Sequence, residues 1–539
     1  MKRIVALFLL LPLYFATAQE NFKPIDSLLN LYKDKPGLSV MVTKNGKVVY
    51  QNQAGYADME SKELITPETV FYLASVSKQF TAACIIILEQ KGKLSLDDKL
   101  SKYFPDFPAY AQKITINDLL NHTSGIRDIG SLSYLKGEDD IDYTNDKVRQ
   151  LLIAQELNYE PGSAWSYTNS GYWCLAQIVE KVSGKTIAEF AHKNIFGPLK
   201  MKDTRYIAQR GLKIQHRAKG YMSDNDNYIV CPVDGFSISG AGVSATAGDL
   251  QKWLTDMTDN KVLGKKFWDR MLDENGYKRE GFLYSKGFFI NQYGSQKQIE
   301  HGGDVDGFHT LVAYYPNADA TLIILSNNDM VSVGNVRRAA INRTLGFNYK
   351  YPAPQPAKTP IVTVSESILK QYTGRYENKE EELAMSVYLK NGQLNIIQEW
   401  DGNEYPIGAI DDTSFISEDD VSFKFTGIQE GKALHMGVKQ DGYDLDFVRN
   451  DNPVSDNAMS AFVGAYYSEA LGSVYIFFIE NGVLRYKVGN GETNLVAVDN
   501  GDKLASLRGT MTFERDEQGH IKGFTLDHER VKNIKFVKK

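Results

Sequence analysis

Up to about residue 350 the chain mixes two hydrophobic periodicities, one typical of strands and one typical of helices. Residues 37–50 alternate apolar and polar side chains around Asn45-Gly46, the strongest short signal for a β-hairpin. A second hairpin is predicted over residues 308–325. Between the two hairpins, apolar residues recur at helical spacing over residues 78–89 and 174–182. This pattern predicts an α+β fold, in which helices cover an antiparallel sheet and an active site lies where the sheet meets a helical region.

A proline-rich stretch divides the chain. Residues 351–360 hold four of the 16 prolines, which is typical of a semi-extended linker, and we place this linker at residues 351–363. After it, almost every segment alternates in period two. Two units begin alike there, one with Tyr372-Thr-Gly-Arg-Tyr376 and the other with Phe462-Val-Gly-Ala-Tyr466.

Short, evenly spaced strands with turn signals predict small antiparallel barrels in this second part. We place lipocalin-like barrels at residues 364–452 and 458–539, with one barrel made from both units as the alternative. In the first unit, strands are predicted to begin near positions 372, 384, 393, 403, 414, 421, 433 and 443.

The N-terminus has the pattern of an export signal. Lys2 and Arg3 precede an apolar run over residues 4–15 and then Ala16-Thr17-Ala18, a small-residue cleavage site. The run is too short to span a bilayer, which takes about 20 apolar residues. We therefore expect a signal peptide over residues 1–18, a first folded domain over residues 19–350, and a periplasmic or secreted protein without stable membrane insertion.

Charge and composition exclude several other classes of protein. Lys plus Arg (61) nearly balance Asp plus Glu (67), and there is no dense basic run, which argues against a nucleic-acid partner. The three cysteines are too widely spaced for a disulfide framework or a zinc cluster. We expect buried free thiols, with a Cys174–Cys231 bridge as the alternative. The histidines form no close ligand pair and no glycine-rich phosphate loop is present, so neither a metal nor a cofactor is expected. The expected partner is a small-molecule, peptide or ester substrate.

The candidate chemistry centres on Ser75-Val-Ser-Lys78. The helical stripe that follows places Ser75 near a helix N-terminus, with Lys78 one turn later on the same face. A serine hydroxyl needs a nearby base to become a good nucleophile, and a desolvated lysine with a lowered pKa can serve. The pattern is weak alone, because Ser133-Tyr-Leu-Lys136 and Ser367-Ile-Leu-Lys370 repeat it on what are expected to be solvated helix faces.

Four separated motifs in a fixed order make the signal specific. They are Ser75-Val-Ser-Lys78, Leu119-Leu-Asn-His-Thr-Ser-Gly-Ile126, Pro161-Gly-Ser-Ala-Trp-Ser-Tyr-Thr-Asn-Ser-Gly-Tyr172 and His301-Gly-Gly303. In these motifs the chain resembles the superfamily of penicillin-binding proteins and class C β-lactamases, over roughly residues 25–345. Some members of that superfamily, including D-aminopeptidases, carry lipocalin-like barrels after the catalytic domain.

The resemblance implies roles for individual residues. Ser75 would be the acylated nucleophile, Lys78 its proton acceptor, and Tyr167 a phenol that links Lys78 to the leaving group. Asn169 would orient the substrate amide and hold Lys78. A turn before a helix is the plain alternative for Tyr167 and Asn169.

His301-Gly-Gly303 stands where β-lactamases and many carboxypeptidases have Lys-Thr-Gly. Gly303 would let the strand approach the substrate, and the amide of Asp304 would join that of Ser75 in an oxyanion hole. His301 would donate hydrogen bonds to the substrate and be only partly charged near neutral pH, unless it is a structural histidine at a strand end. We interpret His122 as structural.

Three functions follow from this sequence. The favoured one is an exported serine hydrolase that forms an acyl-enzyme on a peptide, amide or ester, of the D-aminopeptidase, peptidase or esterase type. The second is a penicillin-binding, β-lactamase or D-Ala-D-Ala carboxypeptidase-type protein. The third is a non-catalytic binding protein with a vestigial site, which the intact set of Ser75, Lys78 and Tyr167 argues against.

Overall fold

The structure is a computed structural model. The residues that it describes are 22–138, 143–207, 211–224, 227–231, 242–279, 281–347, 361–379, 381, 383–390, 392–398, 404–417, 421–440, 443–450, 459–480, 483–489, 491, 493–495, 497–500, 502–506 and 508–539. The predicted signal peptide and residues 351–360 of the predicted linker lie outside this set.

The chain divides into two compact units. The first takes in the chain up to Ile126, residues 141–149 and residues 159–351; the second takes in residues 127–140, 150–158 and 352–539. Two short segments from the middle of the sequence therefore group with the all-β part of the chain. The domain boundaries given above remain predictions.

An eight-stranded antiparallel sheet forms the centre of the first unit, in the order β10-β11-β12-β13-β14-β15-β1-β2. Three smaller sheets, β3-β4, β5-β9-β6 and β7-β8, accompany it. The strands are β1 Leu38–Lys44, β2 Lys47–Ala54, β3 Tyr56–Asp58, β4 Glu63–Leu64, β5 Phe71–Tyr72, β6 Arg205–Tyr206, β7 Tyr221–Asp224, β8 Asn227–Val230, β9 Val243–Ala245, β10 Tyr277–Arg279, β11 Phe282–Ser285, β12 Phe288–Tyr293, β13 Gln296–Val305, β14 Phe308–Tyr315 and β15 Ala320–Ser326.

Helices occupy the stretches that the hydrophobic pattern indicated. Before the linker the α-helices are α1 Lys23–Asn30, α2 Lys78–Gln90, α3 Ile116–Leu120, α4 Ile129–Lys136, α5 Asn145–Ile153, α6 Asn169–Ser183, α7 Ile187–Ala191, α8 Ala247–Asp259, α9 Lys265–Met271 and α10 Val333–Ile341. Short 3-10 turns lie at Ala74–Ser77, Leu100–Lys102, Ala109–Gln112 and Pro316–Ala318, and a π-turn at His192–Phe196.

Both predicted hairpins are confirmed. Strands β1 and β2 are joined by Asn45 and Gly46, whose φ angles of 50° and 69° match the positive values that a type I′ turn requires. Strands β14 and β15 form the second hairpin. Every residue of β15 is buried, as expected for a central strand covered on both faces.

The part of the second unit after the linker is built almost wholly of strands, as predicted, but its two halves differ. Strands β16 to β23 close into a barrel, and their starts agree with the positions predicted from alternation to within two residues. The later strands form a nine-stranded sheet, β27-β26-β25-β24-β32-β31-β30-β29-β28, which the described pairings leave open. The elements are a short helix α11 Glu366–Leu369, then β16 Gly374–Asn378, β17 Leu383–Lys390, β18 Gln393–Gln398, β19 Glu404–Ala409, β20 Ser414–Ile416, β21 Ser422–Thr426, β22 His435–Gln440, β23 Tyr443–Arg449, β24 Gly464–Ser468, β25 Ser473–Glu480, β26 Val483–Val488, β27 Thr493–Leu495, β28 Ala497–Asn500, β29 Lys503–Ser506, β30 Gly509–Arg515, β31 Ile521–His528 and β32 Val531–Lys538.

The repeated sequence motif forms the same corner in both halves. The buried Tyr376 hydroxyl donates to the Tyr372 carbonyl oxygen at 2.9 Å, and the buried Tyr466 hydroxyl donates to the Phe462 carbonyl oxygen at 2.8 Å. Each tyrosine thus ties the first strand of its half to the chain four residues earlier, which gives the repeat a structural purpose.

Residues 127–140 and 150–158 are hydrogen-bonded to the nine-stranded sheet within the second unit. The buried Arg127 guanidinium donates to the Lys532 carbonyl oxygen at 2.7 Å, and the Tyr475 hydroxyl donates to the Leu135 carbonyl oxygen at 2.7 Å. The Gln155 amide donates to the Ala470 carbonyl oxygen, also at 2.7 Å. These bonds satisfy polar groups that would otherwise be buried without partners.

The cysteine prediction is confirmed, because Cys84, Cys174 and Cys231 are all free and buried. Over the part of the chain that the structure describes, no helix is both long and apolar enough to cross a membrane.

Candidate active site

Ser75 lies on the 3-10 turn that leads directly into helix α2. It is partly exposed, whereas residues 71–74 and 76–80 on either side are buried. The preceding residue, Ala74, has a φ angle of 46°, a conformation that costs an alanine on the order of 1–3 kcal/mol. Strain of this kind persists only where the surroundings enforce it, and here it aims the Ser75 hydroxyl out of a buried segment.

Lys78 lies beneath Ser75 and is completely buried. Its Nζ atom is 3.1 Å from Ser75 Oγ and 2.8 Å from Asn169 Oδ1. The structure therefore brings together three residues that the sequence analysis selected, two from one helix turn and one from the start of α6. In its neutral form, an amine held at this distance can take the hydroxyl proton.

The other two copies of the Ser-x-x-Lys pattern have different surroundings. Lys136 forms an ion pair with Glu138 at 2.9 Å, and Lys370 forms one with Glu366 at 2.8 Å. The Ser133 hydroxyl donates to the Gly130 carbonyl oxygen. In these two copies the lysine forms an ion pair with a carboxylate, whereas Lys78 Nζ lies 3.1 Å from Ser75 Oγ, which sets Ser75 apart.

Tyr167 lies just before helix α6, whose first turn is capped by Thr168. Lys78 Nζ is 4.8 Å from the centroid of the Tyr167 ring, and the ring packs against that of His122 with centroids 4.3 Å apart. Tyr167 and Asn169 are partly exposed, as Ser75 is, above the buried lysine. The segment is thus a turn before a helix, and it also brings Tyr167 close to Lys78, so the two interpretations of Tyr167 are compatible.

Strand β13 runs beside the nucleophile because Gly303 has no side chain. A Cβ atom at Gly303 would lie 2.1 Å from the Leu73 carbonyl oxygen and 2.3 Å from Thr310 Oγ1, distances that no real side chain tolerates. The same position is 3.2 Å from the Ala74 Cβ atom. Any larger residue would push β13 away from the 3-10 turn that carries Ser75.

Asp304 follows Gly303 on β13, and Ser75 follows Ala74, whose Cβ atom would lie 3.2 Å from a Cβ atom added at Gly303. The backbone amides of Asp304 and Ser75 are the two that the oxyanion-hole prediction names. The oxyanion hole made by these two amides remains a prediction. Asp304 itself is exposed, so this end of β13 is accessible to a substrate.

His301 is buried, and its charge differs from the expectation. Burial, opposed by a hydrogen bond to the Gly302 carbonyl oxygen and reinforced by the nearby Lys78, lowers its pKa to about 3. The prediction of a partly charged imidazole near neutral pH is therefore wrong, because the ring has no access to water. Its Nδ1 atom donates to the Gly302 oxygen at 2.6 Å, so Nε2 is left to accept from the Tyr284 hydroxyl at 3.3 Å.

Two further residues lie near the site: Tyr284, which no sequence motif indicated, and His122, which was interpreted as structural. Tyr284 is fully buried and belongs to a strand with no recognisable motif. Its hydroxyl oxygen is 3.5 Å from that of Tyr172 and 3.3 Å from His301 Nε2. Burial raises the pKa of Tyr284 well above its usual range, so it stays a neutral donor. His122 accepts a hydrogen bond from the Thr168 amide at its Nδ1 atom, 3.1 Å away, and so holds the segment that carries Tyr167.

Among the described residues, no group of three or more His, Cys, Asp or Glu side chains is arranged to hold a metal ion. Ser75, Lys78 and Tyr167 can support nucleophilic catalysis, because they provide a hydroxyl, an amine that can accept its proton, and a phenol beside that amine.

Comparison with known proteins agrees with this arrangement. Residues 25–344, more than half of the chain, match the Beta-lactamase family. Penicillin-binding protein 4* of Bacillus subtilis (strain 168) is 31% identical over 364 residues, a match that covers 63% of this chain and 78% of that protein.

Two solved structures share the fold. The D-amino acid amidase from Ochrobactrum anthropi SV3, complexed with D-phenylalanine, covers 61% of this chain and 98% of its own, with a TM-score of 0.52 and 24% identity. The octameric penicillin-binding protein homologue from Pyrococcus abyssi covers 81% of this chain and 100% of its own, with a TM-score of 0.54 and 22% identity. The chain belongs to the Beta-lactamase family and is a serine hydrolase.

Proposed function

We propose that this protein is an exported hydrolase that cleaves a small amide, peptide or ester through an acyl-enzyme on Ser75. One observation carries the proposal: Lys78 is buried, and its Nζ atom is 3.1 Å from Ser75 Oγ and 2.8 Å from Asn169 Oδ1. The N-terminal sequence supports export, because Lys2, Arg3 and the apolar run after them have the pattern of a cleavable signal.

The reaction begins when Ser75 Oγ attacks the substrate carbonyl and Lys78 takes the hydroxyl proton. The proton then passes by way of the Tyr167 phenol, which can accept and donate, to the leaving amine or alcohol. In the second half, water attacks the acyl-enzyme and gives its proton to the same pair of groups, which restores the Ser75 hydroxyl. The amides of Ser75 and Asp304 stabilise the oxyanion in both steps.

The substrate class follows from the neutral His301. Relatives with Lys-Thr-Gly at this place offer a permanent cation to a substrate carboxylate, whereas a buried imidazole with a pKa of about 3 carries no charge at neutral pH. A substrate with a free terminal carboxylate therefore gains little here. This favours neutral amides and esters, or aminopeptidase-type substrates, over D-Ala-D-Ala peptides.

A second candidate is a penicillin-binding protein whose serine is acylated quickly and whose acyl-enzyme is hydrolysed slowly. The 31% identity to penicillin-binding protein 4* favours it. The two functions differ in the second half of the reaction, so the rate at which the acyl group leaves Ser75 separates them.

The experiment is to label the purified protein with a fluorophosphonate and with a fluorescent penicillin, and to measure turnover of short esters and of D- and L-amino-acid amides. Intact mass should place each adduct on Ser75, with Ser75→Ala unlabelled and Ser133→Ala labelled as in the wild type. Rapid turnover of esters or amides supports the hydrolase. A penicillin adduct that persists, with no turnover of any of these substrates, supports the second candidate instead.

A further inference from the structure

The accessible end of β13 carries a carboxylate that the reaction described above does not use. Asp304 is paired with His309 of β14, which is its direct neighbour in the strand register. Asp304 Oδ1 is 2.7 Å from His309 Nδ1, and 82% of the Asp304 side chain is still exposed. A carboxylate can accept several hydrogen bonds, so this contact leaves Asp304 with capacity for a ligand.

His309 holds this carboxylate from behind. Its second ring nitrogen, Nε2, lies 2.9 Å from the backbone carbonyl oxygen of Asp329. Both partners of the ring are acceptors, so both nitrogens donate and the ring is an imidazolium when both bonds are made. The pKa of His309 is correspondingly raised, chiefly by the hydrogen bond that its Nδ1 atom donates to Asp304, and the same hydrogen bond lowers the pKa of Asp304. Asp304 is therefore ionised at neutral pH.

The strand edge beside Asp304 is open. Strand β12 pairs with β13 only as far as Glu300, so in the described pairings residues 301–305 are bonded to β14 on one side. An extended substrate can lie along the free edge, as added strands commonly do. Successive residues of a strand face opposite sides of the sheet, and the side that Gly303 faces is filled by the turn that carries Ser75. The Asp304 side chain therefore lies on the other side, next to a substrate bound along this edge.

The two ends of the site differ in what they can bind. The leaving group must receive a proton, so it lies towards Tyr167, whose ring is 6.1 Å from that of His301. Asp304 is three residues further along β13, about 10 Å away at the usual rise per residue. A substrate that reacts at Ser75, between these points, directs its acyl part towards Asp304.

We propose that the Asp304 carboxylate binds a protonated amine on the acyl part of the substrate, close to the scissile carbonyl, and that His309 positions the carboxylate. This inference rests on the proposed hydrolase function and narrows its substrate class. The enzyme then prefers aminoacyl amides or esters to the same compounds with the amine blocked or absent.

The experiment measures kcat/KM in the full chain for three matched p-nitrophenyl esters: alanyl, N-acetylalanyl and propionyl. In the wild type the alanyl ester should react faster than the propionyl ester once their different chemical reactivities are corrected with the rates in buffer. Asp304→Asn should lower the ratio of alanyl to propionyl by about tenfold or more, the value of a lost hydrogen bond to a charged group. Asp306→Asn, at an exposed position two residues on, removes the same charge and should leave the ratio unchanged.

His309→Gln tests the positioning role separately. Without the imidazolium, the pKa of Asp304 rises towards its ordinary value. As the solution is acidified, the variant should therefore lose its preference for the alanyl ester at a higher pH than the wild type does. The charged groups around His309 in this comparison are Asp304 and Asp329. A role in stability alone would leave this pH unchanged.

The outcomes separate the two proposals. If no ester acylates Ser75, the proposed function fails. If the propionyl ester is hydrolysed but Asp304→Asn leaves the alanyl preference intact, or Asp306→Asn reduces it equally, the inference about Asp304 is wrong while the hydrolase remains.

Discussion

The His122 ring packs against the Tyr167 ring at a tilt of 36°, with centroids 4.3 Å apart, while the His122 Nδ1 atom accepts a hydrogen bond from the backbone amide of Thr168, the residue after Tyr167. A single side chain thus fixes both the ring and the backbone of the proposed proton carrier. His122 itself has a φ angle of 60°, a left-handed backbone conformation that is uncommon for residues other than glycine.

The first prediction separates these two contacts of His122. His122→Phe keeps a ring against Tyr167 but leaves the buried Thr168 amide without its acceptor, and His122→Asn keeps an acceptor but loses the ring. Each should lower kcat by about tenfold or more, since small misplacements of reacting groups are costly, with a smaller effect on KM. Steady-state kinetics checks this, and wild-type kcat in both variants would show that His122 does not position Tyr167.

The second prediction is that Lys78 and Tyr167 act as one unit. Lys78→Ala and Tyr167→Phe should each reduce kcat by about 100-fold, the usual contribution of a positioned acid or base. Because either substitution interrupts the same proton path, the double variant should have a kcat only slightly below that of the less active single variant. Fully multiplicative losses would mean that the two groups serve different steps.

The third prediction uses the charge state of His301. Its folded pKa of about 3 lies below the ordinary value of 6.5, so the unfolded chain binds one more proton between these values. The contribution of neutral His301 to stability is fully present above about pH 6.5 and is lost as the pH falls towards 3. His301→Gln keeps an acceptor for Tyr284 without a titrating ring, so its melting temperature should fall less steeply over that range; parallel curves would contradict the burial of His301.

The fourth prediction concerns Arg127. Arg127→Met removes a buried guanidinium that donates to the Lys532 and Asn533 carbonyl oxygens and to Gln155 Oε1. Each abandoned acceptor costs about 1–3 kcal/mol, so the free energy of unfolding should fall by at least that amount. Denaturant unfolding followed by tryptophan fluorescence measures it. Lys532→Ala, which keeps the backbone carbonyl that Arg127 uses, is the matched control and should be close to neutral.

The sequence predicted what local patterns encode. The Asn45-Gly46 turn, the strands of the barrel and the Ser75-to-Lys78 spacing each depend on neighbours within a few residues, and the structure has them as expected. The contact of Lys78 with Asn169 was predicted only through the resemblance of motifs, because 91 residues separate the two.

What the sequence did not predict depends on distant packing. The charge of His301 is set by its burial among side chains from other strands, and Tyr284 reaches the site from a strand whose sequence carries no motif. The bonds between the nine-stranded sheet and residues 127–138 join partners more than 300 residues apart, such as Tyr475 and Leu135, and no periodicity within either segment indicates the other.

The 340 residues between Leu135 and Tyr475 delay their hydrogen bond during synthesis of the chain. Leu135 is synthesised 340 residues before Tyr475, and at a translation rate of about 5–20 residues per second its partner follows roughly 20–70 seconds later. Until then, Arg127 and Gln155 cannot form their hydrogen bonds to the Lys532 and Ala470 carbonyl oxygens. The segments that contain Leu135, Arg127 and Gln155 therefore make their final hydrogen bonds only after the last strands have emerged. A premature stop codon near the C-terminus should thus be felt in the middle of the sequence, as exposure of helix α4 to proteases.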